Sequence, residues 1–155
     1  MTNNLFKLSA TVNVFPSDRL RIKNKKRSYE NELIVAKVSN DIYRYYAWFL
    51  NKQYGVVLEP PPFGSHITIA DGRKKIDLDK FAEYLSKIDL KKLTIECSPS
   101  IYTHWEFFAV RVYSPELDVI RKKLGLSSNY PFHITIGKLS AKSKQPSLLT
   151  REIVL

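Results

Sequence analysis

The tetrapeptide His-Ile-Thr-Ile occurs twice in this chain, at 66–69 and at 133–136. Alternating apolar and polar residues with β-branched side chains read as a strand, in which residues i and i+2 share a face. His66 and Thr68 therefore project together while Ile67 and Ile69 turn to the core. His133 and Thr135 project likewise, with Ile134 and Ile136 behind them. Imidazole is the side chain that gives or takes a proton near neutral pH. Two of them can act as base and acid at opposite ends of one breaking bond, each contributing roughly 10²–10⁴-fold. Thr hydroxyls can hold the non-bridging phosphate oxygens where negative charge gathers. Packing a strand gives no reason to choose His and Thr twice, and these copies hold two of the chain's three histidines.

The elements that must position these residues follow from pattern. Strands are expected at 8–15, 33–38, 66–70, 92–97, 106–113 and 132–139, with a brief one at 56–58 and a last one at 148–155. A helix over 42–54 starts from the capping run Ser39-Asn40-Asp41 and stops at Gly55. A second fits 77–88, where Leu78, Phe81, Leu85 and Ile88 recur at helical spacing. A third begins with Ser114 as cap and Pro115 in its first turn and stops at Gly125. Strand, helix and His-x-Thr strand thus recur in two pseudo-repeats, at about 33–72 and 105–140. A connector carrying proline and an aromatic residue precedes each motif, Pro62-Phe63-Gly64-Ser65 and Tyr130-Pro131-Phe132. Short turns between strands favour an α+β fold with antiparallel pairing over a doubly wound parallel sheet.

The length of 155 residues suits a single domain, and a chain of this size buries enough surface to need no disulfide or metal staple. Cys97 is the only cysteine, which points to a reducing compartment, the cytoplasm. No apolar run is long enough for a membrane helix, and the first residues lack a signal-peptide layout. The net charge of +10, from 25 Lys and Arg against 15 Asp and Glu, attracts polyanions. The basic run from Arg19 to Arg27 reads either as a solvated loop or as a flap over a phosphate ligand. The chain has no His-x-His pair, no His-Glu-x-x-His and no clustered cysteines, so neither a metal nor another cofactor is expected. Ser65 beside His66 lacks the Gly-x-Ser-x-Gly elbow of a serine hydrolase.

The two His-Ile-Thr-Ile motifs resemble those of the 2H phosphoesterases, a family defined by two His-hydrophobic-Thr/Ser-hydrophobic motifs, and the repeat that carries them spans about 33–139. The resemblance implies two pseudo-symmetric lobes of antiparallel sheet with outer helices, a LigT-like fold with one motif from each lobe at a central cleft. It implies His66 and His133 as acid and base, Thr68 and Thr135 as phosphate holders, and metal-independent chemistry. LigT-like members often carry Arg shortly after the second motif; Lys138 stands there in this chain. Family members include RNA 2′,3′-cyclic phosphodiesterases, LigT-like 2′,5′ RNA ligases, U6 RNA-processing exonucleases and phage anti-CBASS nucleases that degrade cyclic oligonucleotide alarms.

Among these substrates a cyclic oligonucleotide or dinucleotide is expected, as in the phage branch that evades host immunity, with RNA 2′,3′-cyclic ends as the alternative. A non-catalytic nucleotide- or RNA-binding protein is the competing class. No membrane or obligatory protein partner is expected. Tyr102 and Trp105 could stack on a base, Phe132 adjoins the second motif, and with Lys138 these are the expected substrate contacts. Tyr43, Tyr45, Tyr46, Trp48 and Phe49 form an aromatic run read mainly as helix-to-sheet packing.

Overall fold

The computed structural model describes residues 5–15, 33–87, 93–127 and 131–143. The basic segment 19–27, Tyr130 and the strand expected at 148–155 lie outside the described residues. The elements run β1 (Phe6–Phe15), β2 (Leu33–Lys37), α1 (Asp41–Tyr54), β3 (Leu58–Glu59), β4 (His66–Asp71), α2 (Leu78–Leu85), β5 (Leu93–His104), β6 (Phe107–Tyr113), α3 (Pro115–Lys123) and β7 (Phe132–Leu139).

The fold is α+β. All strand pairings are antiparallel, and the order β7-β4-β2-β1-β5-β6 closes on itself through β6–β7 into a six-stranded barrel. The two expected sheets are thus hydrogen-bonded into one ring, because β7 bonds β6 along one edge and β4, then β3, along the other. Each motif strand pairs with the strand that opens its own repeat, β4 with β2 and β7 with β6.

Burial alternates along Leu93–Cys97 of β5 and through both His-Ile-Thr-Ile segments, in β4 and β7. Ile34, Ala36, Ile67, Ile69, Ile95, Ile101, Phe108, Val110, Ile134 and Ile136 lie on one face and form a continuous core with Ile42, Tyr46 and Leu50 of α1, Phe81 of α2, and Leu117 and Ile120 of α3. A six-stranded ring has room inside for side chains but not for a helix. The apolar face is therefore the outside of the barrel, and its core lies between strands and helices. Val35 and Ala109 are also buried but stand apart from that core, on the inner face.

Local chemistry explains the helix ends. The Asp77 carboxylate accepts from the Lys80 N–H at 3.1 Å, and the Ser114 hydroxyl accepts from the Leu117 N–H at 3.3 Å, each satisfying an orphan donor of the first turn. α1 stops at Gly55, whose φ of 67° places it in the left-handed region that glycine occupies without strain. Asn40 precedes α1 yet makes no side-chain cap; its Oδ1 accepts instead from the Ser65 N–H at 2.9 Å. The expected cap is spent on the connector into β4. α2 ends at Leu85, and Ile88 lies outside the described residues. Of the α1 aromatics, Tyr46 is buried and donates to the Pro99 carbonyl at 3.3 Å, whereas Tyr45 and Trp48 face outward. No helix among the described residues is long and apolar enough to cross a membrane.

Candidate active site

The two motifs meet at a single register. Ile67 of β4 lies opposite Ile134 of β7. Counting one residue outward each way sets His66 across from Thr135, and Thr68 across from His133. Opposed residues of an antiparallel pair project to the same face. The isoleucines take the helix-covered outside, so both imidazoles and both hydroxyls take the inner face, where all four are partly exposed.

Each imidazole is anchored in the same way. His66 Nδ1–H donates to the carbonyl of Gly64, two residues upstream, at 2.9 Å, which leaves Nε2 for a substrate. His133 hydrogen-bonds the backbone of Pro131, also two residues upstream. Proline has no N–H, so the ring again donates to a carbonyl. The Gly64 bend is built for this: its φ is 71°, its N–H bonds the Pro61 carbonyl at 3.0 Å, and a Cβ there would stand 2.5 Å from Asn40 Oδ1.

The surroundings differ between the two. Burial pushes the His133 imidazole below its ordinary value of 6.5; the bond to Pro131 opposes this, while His66, His104 and Arg121 lower it further. His133 is thus neutral at pH 7. Arg121 of α3 is buried, 6% exposed. It donates to the carbonyls of Thr68 at 3.2 Å and Ile69 at 3.3 Å, and its guanidinium stands 3.9 Å from the centroid of the Phe132 ring. One side chain thereby ties the first motif strand to the second. His66 has the Phe63 ring edge-on at 6.3 Å instead. A pocket of about 730 Å³ opens beside Thr68 and His133, with Asp71, Arg73, Lys74 and Arg121 in its wall. Burial works to raise the Asp71 carboxyl, but ion pairing and hydrogen bonding with Arg73 hold it below the usual carboxylate range.

The four expected substrate contacts divide. Tyr102 lies opposite Ala109, which lies opposite Thr135, so it shares the inner face with the motifs. It belongs to β5, which runs through to His104 instead of ending at Cys97, by way of a register shift between Cys97 and Ile101. Lys138 pairs in register with Phe107 and forms an ion pair with Glu106 at 3.0 Å, which raises its pKa. Trp105 sits in the β5–β6 turn, 82% exposed, with a φ of 57°. It is outside the pocket wall. Phe132 is a correction: only 5% exposed, it belongs to the core behind the sheet, since the residue next to His133 must point to the opposite face.

Pairing also reveals residues that sequence reasoning missed. His104 lies two residues beyond Tyr102 on the same strand, so all three histidines serve one face. Lys37 is the partner of His66, and Arg111 is the partner of His133. The apolar runs of β2 and β6 mark them as strands but do not say what stands beside them. Among the described residues no group of three or more His, Cys, Asp or Glu could hold a metal ion. The chain matches no known family model, no curated protein and no solved structure.

Proposed function

We propose that this protein is a metal-independent 2H-type phosphodiesterase that cleaves 3′–5′ bonds of ribonucleotide substrates, cyclic oligonucleotides foremost. The observation that carries this reading is the Ile67–Ile134 register, which gathers His66, Thr68, His133 and Thr135 on one partly exposed face. Two donor-anchored imidazoles beside two hydroxyls suit a phosphate between them, with one ring taking a proton as the other gives one. The strand–helix–motif strand order of both repeats further supports the pseudo-symmetric fold of that family.

The nucleophile in this reading is the substrate's own 2′-hydroxyl, which gains the advantage of an intramolecular attack. Its oxygen bonds to phosphorus and its proton passes to His133, the ring that burial keeps neutral. The P–O5′ bond breaks, and His66 protonates the departing oxygen. Thr68 and Thr135 donate to the non-bridging oxygens as charge builds. The products are a 2′,3′-cyclic phosphate and a free 5′-hydroxyl, and water then opens the cyclic ester with the histidine roles reversed.

Incubation of the purified chain in excess EDTA with cyclic dinucleotides, cyclic trinucleotides and 2′,3′-cyclic-ended RNA tests this, with products read by mass. Ring opening of a ribo substrate, and none of its deoxy or 2′-O-methyl counterpart, is expected. Binding of the whole panel without cleavage would overturn the enzyme in favour of a nucleotide-binding protein.

A further inference from the structure

The two ends of the site are unlike. β4 runs from His66 through Thr68 to Asp71, and the pocket of about 730 Å³ opens toward this last residue. Thr68 and His133 stand in its wall, whereas His66 and Thr135 do not. The other end of the site runs toward the β5–β6 turn, because Lys138, beyond Thr135 on β7, opposes Phe107, which opposes His104. A phosphate held between the histidines thus has the cavity on its His133 side and the turn on its His66 side.

A phosphate alone needs no such space. The volume lies in the range of about 300–1,000 Å³ typical of sites for small organic ligands. The wall suits a base and its sugar. Leu126 and Pro131 supply apolar surface, while the Asp71 carboxylate supplies an acceptor and Arg73 and Lys74 supply donors. Asp71 accepts from the Arg73 Nε–H and, at 3.1 Å, from its backbone N–H, so this polar corner is held in place. Hydrogen-bonding groups of this kind tell bases apart, which stacking alone does little to do.

In the proposed reaction His133 takes the proton of the 2′-hydroxyl and His66 gives one to the departing 5′-oxygen. The nucleoside carrying that 2′-hydroxyl is then on the cavity side. We infer that the cavity seats this nucleoside, the one that keeps the phosphate, and that its wall selects the base there. The inference rests on the phosphodiesterase reading and adds a direction to it. The 2′,3′-cyclic ester made in the first step stays in the cavity for water to open, while the 5′-hydroxyl fragment leaves toward the β5–β6 turn.

The test titrates the full chain with the 3′- and 5′-monophosphates of adenosine, guanosine, cytidine and uridine, following backbone amides by NMR. The 3′ series should bind more tightly than the 5′ series, with a spread among bases of about tenfold, the worth of one good hydrogen bond. It should shift the amides of Asp71, Lys74 and Ser127, which the 5′ series leaves in place. Ser127→Trp, which fills the cavity from an exposed wall position, should erase the 3′ advantage. Lys74→Glu should weaken the 3′ series roughly threefold at low salt, the scale of reversing one charge at about 10 Å in water. Unfolding temperatures show that both variants keep the fold. A 5′ series that binds as tightly as the 3′ series, binding by neither, or a 3′ advantage that survives Ser127→Trp overturns the inference. Dinucleoside monophosphates separate the two claims, with the base varied on one side of the bond at a time. Cleavage whose kcat/KM follows the leaving base removes the cavity assignment and leaves the enzyme, whereas a 3′ advantage without cleavage removes the enzyme and leaves the nucleoside seat.

Discussion

β4 and β7 carry the same four residues and bond their imidazoles to the same upstream carbonyl position, yet they stand in unlike surroundings. Around β7, His133 is pressed down by burial and by the charges of His66, His104 and Arg121. Around β4, His66 meets the edge of Phe63, and its Nδ1 is committed to the Gly64 carbonyl. In the proposed reading, a repeat supplies identical groups and unlike surroundings fit them to different jobs. Proton transfer needs that inequality, because one ring must start neutral and the other charged.

The largest effect should come from removing either ring. His66→Ala and His133→Ala are each expected to lower kcat by roughly 10²–10⁴-fold with the fold retained, because neither ring belongs to the core. The double variant should be little worse than either single one, since groups that act as a unit are not additive. Thr68→Ala and Thr135→Ala should cost less, about 10²-fold each in kcat.

Arg121→Met tests what makes the two strands differ. Losing charged hydrogen bonds to the Thr68 and Ile69 carbonyls should reduce stability by about 2 kcal/mol in urea unfolding. With one cation gone, the His133 titration followed by NMR should move upward. Stability itself should depend on pH through the same group. Because His133 is lowered on folding, the unfolded chain binds its proton first as pH falls. This contribution is complete above pH 6.5 and is lost as pH drops toward the folded value, and His133→Gln should abolish that part of the dependence. The smallest effect is expected at Ser65, whose hydroxyl is buried with no hydrogen-bond partner among the described residues. Ser65→Ala should leave kcat intact and raise stability by up to about 1 kcal/mol, the cost of an unmet hydroxyl.

Local chemistry made much of this legible in the sequence. β7 was expected at 132–139 and is found there, and the cap at Ser114 and the stop at Gly55 hold a hydrogen bond and a backbone angle that follow from residue type. What was not legible depends on pairing. The strand expected at 92–97 continues through Ser98-Pro99-Ser100 to His104, because pairing with β6 absorbs those residues in a register shift. Phe132 looked like a site residue by adjacency in the chain, although adjacency in a strand means opposite faces. Lys37, Arg111 and Arg121 are ordinary basic residues until β2, β6 and α3 are placed beside the motifs.

The measurement that tests most directly whether the two histidines have opposite jobs uses a ribonucleoside 3′-(p-nitrophenyl phosphate), whose leaving group departs without a proton. It makes the acid dispensable and the base still necessary. The account predicts that His66→Ala cleaves this substrate at close to the wild-type rate while His133→Ala stays as slow as it is on an ordinary phosphodiester. Equal rescue of both variants, or rescue of His133→Ala alone, would contradict it.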